Sequence, residues 1–227
     1  MLKAVIFDVD GTILDSYEKD NLSNMANILG LKLPSGFCSK NYWGMHGDEI
    51  VKSLWPNENM EKLHGLWSRL DVETLNLIPG ARNILSWFEK LRLDHGKIHC
   101  GILTQRNFKN LELILKHHAV LDLFHTDLIQ TSCRWRYRKP DPRTFDYMLS
   151  RIGKLGISKE EIIYVGDTKG DFEASSGAGV EFVGVETGPL TKEDWLELGL
   201  AEDHIIKSIA SLMLWLMSHR KIWLNFI

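Results

Sequence analysis

The residues of this chain best suited to chemistry follow apolar runs. Asp8 and Asp10 close Ala4-Val5-Ile6-Phe7, Thr104 follows residues 98–103, and Asp167 and Asp171 follow Ile162-Ile163-Tyr164-Val165-Gly166. Lys139 stands between the last two stations, in Arg138-Lys139-Pro140-Asp141-Pro142. Asp8 and Asp10 are two residues apart, so in extended chain both carboxylates point to the same side. Two carboxylates held close repel unless a cation sits between them or one keeps a proton. Each residue has a plainer alternative: an Asp10-Gly11 turn, Thr104 as a helix N-cap, Lys139 in a solvated loop, Gly166-Asp167 as a strand-to-turn signal. Four stations in this order are harder to assign to turns and caps than any one alone.

Those stations need a scaffold. The continuous apolar run Ala4 to Phe7 suits a strand buried on both faces of a parallel sheet. Residues 98–103, 162–165, 182–185 and 205–206 read as further strands, with a short one between Leu123 and Ile129. Helical spacing separates them: Trp87, Phe88 and Leu91 within 84–93, then Leu111, Ile114 and Leu115, then residues 145–152. This alternation predicts an α/β fold with a doubly wound parallel, Rossmann-like sheet. Ligands bind at the carboxyl edge of such sheets, where the stations fall.

One stretch breaks the alternation. From Leu14 to Leu29, ending at Gly30, then around Ile50, Val51, Leu54 and Trp55, then across Leu63, Leu66, Trp67 and Leu70, the apolar residues recur at helical spacing. The pattern predicts a small all-helical cap domain, residues 15–79, inserted after the first strand into a core of residues 1–14 and 80–227. Pro79-Gly80, restricting one residue and freeing the next, suits a hinge.

With 227 residues, of which 44% are hydrophobic, the chain suits one large domain or a core with an insert. A net charge of -3 argues against a nucleic-acid partner. Cys38, Cys100 and Cys133 form no CxxC spacing, and Met1 leads directly into the first strand, leaving no room for a signal peptide. The expectation is a cytoplasmic protein without a membrane segment, monomeric or homodimeric.

Asp8-Val9-Asp10-Gly11-Thr12, Thr104, Lys139-Pro140-Asp141 and Gly166-Asp167-Thr168 with Asp171 resemble, in order, the four motifs of the haloacid dehalogenase-like hydrolases. The likeness runs along nearly the whole chain, and the helical insert resembles the cap of the phosphoglycolate phosphatase-like branch. The resemblance implies a phosphatase acting on a small phosphomonoester: phosphoglycolate, a sugar phosphate or a nucleotide. It implies Asp8 as the nucleophile forming an aspartyl-phosphate, Asp10 as acid and then base, and Mg²⁺ held by Asp8, the backbone carbonyl of Asp10, and Asp167. Thr104 and the backbone N–H of Gln105 would meet phosphate oxygens, and Lys139 would neutralise both nucleophile and phosphate. Asp171 would orient Lys139 or a metal-bound water, and Thr12 would fix the loop.

Competing readings are a phosphosugar mutase and a non-catalytic binding or regulatory protein on the same scaffold. The mutases usually carry an arginine where Gly47 stands, and a binding module needs no nucleophile and acid together. Asp10 counts against dehalogenation, since the dehalogenases lack that second aspartate. In the cap, Trp43 to Asp48 occupies the place of specificity residues, with His46 a candidate for a substrate anion or a surface histidine. Arg134, Arg136 and Arg138 offer a further substrate contact beside Lys139. Residues 208–227 read as an amphipathic closing helix with excess apolar character, suited to core packing or a dimer contact.

Overall fold

The computed structural model describes residues 1–95, 98–132 and 136–219. In chain order the strands are β1 (Ala4–Phe7), β2 (Leu14–Asp15), β3 (Asn76–Leu77), β4 (His99–Leu103), β5 (Ile129–Gln130), β6 (Ile162–Gly166), β7 (Glu181–Val185) and β8 (Ile205–Ile206). The helices are α1 (Asn21–Leu29), α2 (Gly47–Leu54), α3 (Met60–Thr74), α4 (Ala81–His95), α5 (Phe108–His117), α6 (Asp146–Lys154), α7 (Lys169–Ala178), α8 (Lys192–Glu197) and α9 (Leu212–His219). Six strands form one parallel sheet in the order β5-β4-β1-β6-β7-β8, the Rossmann-like α/β core that the alternation predicts.

Register explains the unbroken apolar run of β1. Val5 and Phe7 enter a core with Phe88, Ile114 and Leu212, while Ala4 and Ile6 enter another with Phe145, Tyr164 and Trp195. A strand covered on both faces has no polar side to display. From β1 the chain fills β4 and β5 on one side, then crosses to β6, β7 and β8 on the other. That reversal opens a crevice at the carboxyl end of β1, where a ligand can enter.

Helices α1, α2 and α3 pack around a separate apolar cluster that includes Leu22, Met25, Val51, Leu63 and Leu70. Asp20 caps α1 by accepting from the Ser23 N–H, and Gly30 ends it in the left-handed conformation. Leu14 departs from the helix expected there. It lies in β2, paired antiparallel with Leu77 of β3, and is fully buried. Burial in the sheet-side core takes Leu14 from the helix pattern, so α1 starts only at Asn21. This two-stranded ribbon joins the helical insert to the sheet. At its far end a Cβ on Gly80 would lie 2.7 Å from the Ala210 Cβ, so the segment before α9 packs directly on Gly80.

Helix α9 buries Leu212, Trp215 and Leu216 in the core and exposes Leu214. The apolar continuation Trp223 to Ile227 lies outside the described residues, as does Arg134. Among the described residues no helix is long and apolar enough to cross a membrane.

Candidate active site

Asp8 begins where β1 ends. Its N–H donates to the Val165 carbonyl at 2.8 Å, which carries the β1–β6 pairing one residue past the strand. The Lys139 ammonium donates to Asp8 Oδ1 at 2.7 Å, to Asp171 Oδ1 at 2.5 Å and to the Tyr164 hydroxyl at 3.1 Å. Tyr164 in turn donates toward Asp171 Oδ1 at 2.6 Å. Asp171 Oδ2 accepts from the Thr168 N–H at 3.0 Å and hydroxyl at 2.5 Å, closing a capping box at the start of α7. Both oxygens of Asp171 are therefore engaged, and its place is to hold Lys139 against Asp8. Gln105 approaches the Lys139 carbonyl, Nε2 to O, at 3.5 Å.

Asp167 is fully buried, with Oδ1 3.5 Å from the Thr12 hydroxyl. Its Oδ2 has no hydrogen-bond partner among the described residues. A Cβ on Gly11 would come within 2.2 Å of that oxygen and one on Gly188 within 1.9 Å, so only glycine permits this approach from either side. Asp8, Asp167 and Asp171 bring carboxylate oxygens within 4.8 Å of one another. Three buried carboxylates against one lysine leave an excess of negative charge. Burial pushes the Asp8 carboxyl up to about 7 despite the pull of Lys139, with Asp171 and Asp10 adding to the rise. Burial, then Asp8 and Asp171, drive Asp167 well above the usual carboxylate range. For Asp171 burial acts in the same direction, but Lys139, Thr168 and Tyr164 outweigh it and the carboxyl falls below its usual value. Hard oxygens, an excess of charge and an orphaned buried carboxylate oxygen fit a divalent metal ion. With Asp171 saturated, Asp8 and Asp167 are the side chains left to hold it.

Asp10 does not join that cluster. Both of its oxygens accept from one guanidinium: Arg106 Nε donates at 2.7 Å and the terminal nitrogen NH2 at 2.6 Å. Arg106 also donates to Asp71 Oδ2 at 2.8 Å and Asn110 Oδ1 at 2.5 Å. Asn110 and Asn21 donate to Asp71 at 3.1 and 2.7 Å. Burial would raise the Asp10 carboxyl, yet Arg106 overrides it and holds the group below the usual range. Sequence reading passed over Arg106, Tyr164 and Asp71. The polar run Thr104-Gln105-Arg106-Asn107 at a strand end held a signal for Arg106, since an arginine beside buried chain requires an acid. Tyr164 and Asp71 gave none: one reads as strand core, the other as an ordinary helix acid.

Thr104 is buried at the end of β4, and its hydroxyl accepts from the Arg106 N–H at 3.2 Å. The N-cap of α5 is Asn107, which accepts from the Lys109 N–H, so Thr104 does not serve as that cap. His46 corrects the expectation of a surface histidine. It is 7% exposed, caps α2 by accepting from the Asp48 N–H at Nδ1, and lies 2.8 Å from the Ser132 hydroxyl through Nε2. Both ring nitrogens are thus engaged by protein, leaving none for a substrate anion in this arrangement. Arg138 is paired with Glu49 of α2. A cavity of about 960 Å³ lies between these groups, reached by Asp8, Asp10, Thr104, Gln105, Lys139 and Asp167 from the sheet and by Trp43 to Asp48 from the insert.

The family model of the haloacid dehalogenase-like hydrolases matches residues 5–185, from within β1 to the end of β7. The chain belongs to this family. Among curated hydrolase-family relatives, the phosphoglycolate phosphatase of Vibrio cholerae is 24% identical over 203 residues, covering 82% of this chain and 85% of its own length. The beta-phosphoglucomutase of Bacillus subtilis is 27% identical over 206 residues, covering 82% and 84%. Among solved structures, a haloacid dehalogenase-family hydrolase, family IA, variant 3, from Entamoeba histolytica superposes with a TM-score of 0.71 at 19% identity. That likeness covers 91% of this chain and 93% of the other, and it is one of fold.

Proposed function

We propose that this hydrolase is a Mg²⁺-dependent phosphatase that cleaves a small phosphomonoester through an aspartyl-phosphate on Asp8. The observation that carries the reading is the buried Asp8–Lys139–Asp171 contact beside the partnerless oxygen of Asp167. A carboxylate facing a lysine, next to a carboxylate oxygen with no partner among the described residues, supports the reading of a nucleophile beside a cation site. Asp8, the Asp10 carbonyl and Asp167 would hold Mg²⁺, which supplies charge neutralisation for the phosphoryl oxygens when bound.

In the first half-reaction an Asp8 oxygen attacks phosphorus, the bond to the leaving oxygen breaks, and Asp10 gives that oxygen its proton. In the second, ionised Asp10 takes a proton from water, the water oxygen attacks phosphorus, and the bond to Asp8 breaks. Lys139 offsets the charge of Asp8 and of the incoming phosphoryl group, while Thr104 and the Gln105 N–H are placed to donate to phosphate oxygens. Asp171 and Tyr164 orient Lys139, and Thr12 steadies Asp167. With Arg106 on both oxygens, Asp10 is in the base form that the second half-reaction uses. The first requires Arg106 to yield it. The insert of residues 15–79 acts as a lid over the transfer, excluding water until the intermediate has formed. A phosphosugar mutase has less support, because Gly47 lines the cavity where a second phosphate would need a cation.

The test is hydrolysis of para-nitrophenyl phosphate with Mg²⁺ and with chelator, beside Asp8→Asn. Phosphate recovered on Asp8 after acid quench is expected from the native protein alone. Full activity in Asp8→Asn, or turnover that ignores chelation, would sink the mechanism.

A further inference from the structure

The cavity is larger than the esters named for its relatives require. At about 960 Å³ it stands at the upper end of the roughly 300–1,000 Å³ that encloses drug-sized ligands. A two-carbon acid phosphate fills only a fraction of that. Nor does the volume come from a lid swung away. Asp71 to Arg106, Glu49 to Arg138 and His46 to Ser132 all bridge the insert and the sheet side. The space belongs to the closed arrangement.

The insert's contribution to the cavity lining is rich in aromatic rings. Tyr17, Tyr42, Trp43 and Trp67 all line it, each only half-buried. Tyr17 and Trp43 meet edge to face at 5.2 Å, and Lys40 lies 4.4 Å over the Tyr17 ring. Flat, partly open rings of this kind gain most from a ligand that is itself a flat ring.

Charge points the same way. The two buried cations of the cavity are both committed: Lys139 to Asp8 and Asp171, Arg106 to Asp10 and Asp71. Beside the leaving oxygen, Arg106 carries one positive charge against two carboxylates. The remaining cations on the lining stand at its rim: Lys40 paired with Glu18, Arg69 with Glu73, and Lys19 and Lys109 exposed to water. Screened by solvent, they are weak holders of a second anion. A leaving group bearing its own carboxylate is disfavoured here, and a neutral one is not.

We infer that the substrate is the phosphomonoester of a neutral alcohol carrying a flat aromatic heterocycle, of nucleoside size, held by the aromatic lining residues Tyr17, Trp43 and Trp67; a nucleoside monophosphate has this chemistry and phosphoglycolate does not. The inference rests on the phosphatase reading above.

The experiment measures kcat/KM of the Mg²⁺-loaded full chain for nucleoside 5′-monophosphates, glycerol phosphate and phosphoglycolate, with para-nitrophenyl phosphate as reporter. Nucleotides are expected at least about tenfold ahead of phosphoglycolate, and Trp43→Ala and Trp67→Ala should lower the nucleotide-to-glycerol-phosphate ratio by about tenfold, chiefly through KM. Should an alanine variant not fold, the non-aromatic Trp43→Leu or Trp67→Leu replaces it and should lower the ratio by a similar factor. Binding to Asp8→Asn, read by quenching of tryptophan fluorescence, is expected for the nucleotide and not for phosphoglycolate. Phosphoglycolate level with or ahead of the nucleotides, or a ratio unmoved in both tryptophan variants, overturns the inference while leaving the phosphatase intact. Absence of any Asp8-dependent hydrolysis overturns the phosphatase reading and this inference with it.

Discussion

Two largely buried cations meet the acids just after β1, Lys139 at Asp8 and Arg106 at Asp10, and they are built differently. Lys139 is held entirely by the sheet side: Asp8 after β1, Tyr164 on β6 and Asp171 on α7. Arg106 reaches from the loop after β4 to Asp10 on the sheet side and to Asp71 on α3 of the helical insert. The first network stays intact wherever the insert sits. The second requires the insert in place. On the proposed mechanism, the nucleophile's cation is thus anchored in the sheet side alone, and the proposed acid-base carboxylate is tied through Arg106 to the insert.

Removing each cation should separate the two. Lys139→Ala leaves Asp8, Asp167 and Asp171 without an opposing charge, and kcat should fall by at least about a hundredfold whatever the substrate. A loss confined to KM would mean that Lys139 only binds. Arg106→Ala should act on stability first. Asp71, its side chain 4% exposed, would be left a buried charge with Asn21 and Asn110 as its side-chain donors among the described residues. Stranding such a charge costs about 3–5 kcal/mol. Asp71→Asn added to Arg106→Ala should recover part of that, giving a coupling of about 1–3 kcal/mol in a denaturation cycle. Strict additivity would show that the insert and the acid are not linked through this arginine.

The carboxylate cluster makes the comparison sensitive to pH. Burial lifts Asp8 to about 7 and Asp167 well above the usual range, whereas in the unfolded chain both ionise near their ordinary values of about 3.9. The folded protein therefore holds protons that the unfolded chain has released. Without metal, the contribution of Asp8 and Asp167 to stability should decline as pH rises from about 4 to beyond 7, and their deficit should be complete above the folded values. Asp10 and Asp171, held below their usual range, act in the opposite sense at acidic pH. Mg²⁺ competes with those protons, so its stabilising effect should grow with pH. Thermal unfolding with Mg²⁺ and with chelator at pH 5.5 and 8 checks this. A larger metal effect at the acidic pH would place the cation elsewhere.

What the sequence disclosed follows the same division. Strands buried on both faces are legible because their apolar runs are unbroken, and the acids at their ends stand out against them. The helical insert is legible because its spacing changes. Arg106 with Asp71 was not, since the pair joins residues 35 apart in sequence, on a loop and on a helix that reads as an ordinary amphipathic segment. The β2–β3 ribbon escaped notice for a different reason: two residues per strand give no period to detect. His46 looked like a loop histidine because its second partner, Ser132, lies 86 residues away in sequence and gives no local signal.

His46 offers the finest cut. Its Nδ1 accepts from the Asp48 N–H, so the proton of the neutral ring sits on Nε2 and donates to Ser132 Oγ. The Ser132 hydroxyl is left to donate to the Arg106 carbonyl at 3.1 Å. Insert and sheet side are thereby joined on the backbone of the residue that holds Asp10. Burial, then the charge of Arg138, lowers the proton affinity of His46 below its ordinary value, which keeps this neutral pattern at neutral pH. His46→Ala removes the bond to Ser132 and the cap of α2, a loss of about 1 kcal/mol for each interaction. Because no ring nitrogen is left for substrate, kcat/KM should shift by a similar factor for every phosphomonoester, and Ser132→Ala should reproduce most of it. Unequal shifts, with one substrate losing far more than another, would instead put His46 in contact with substrate and require the Ser132 bond to break on binding.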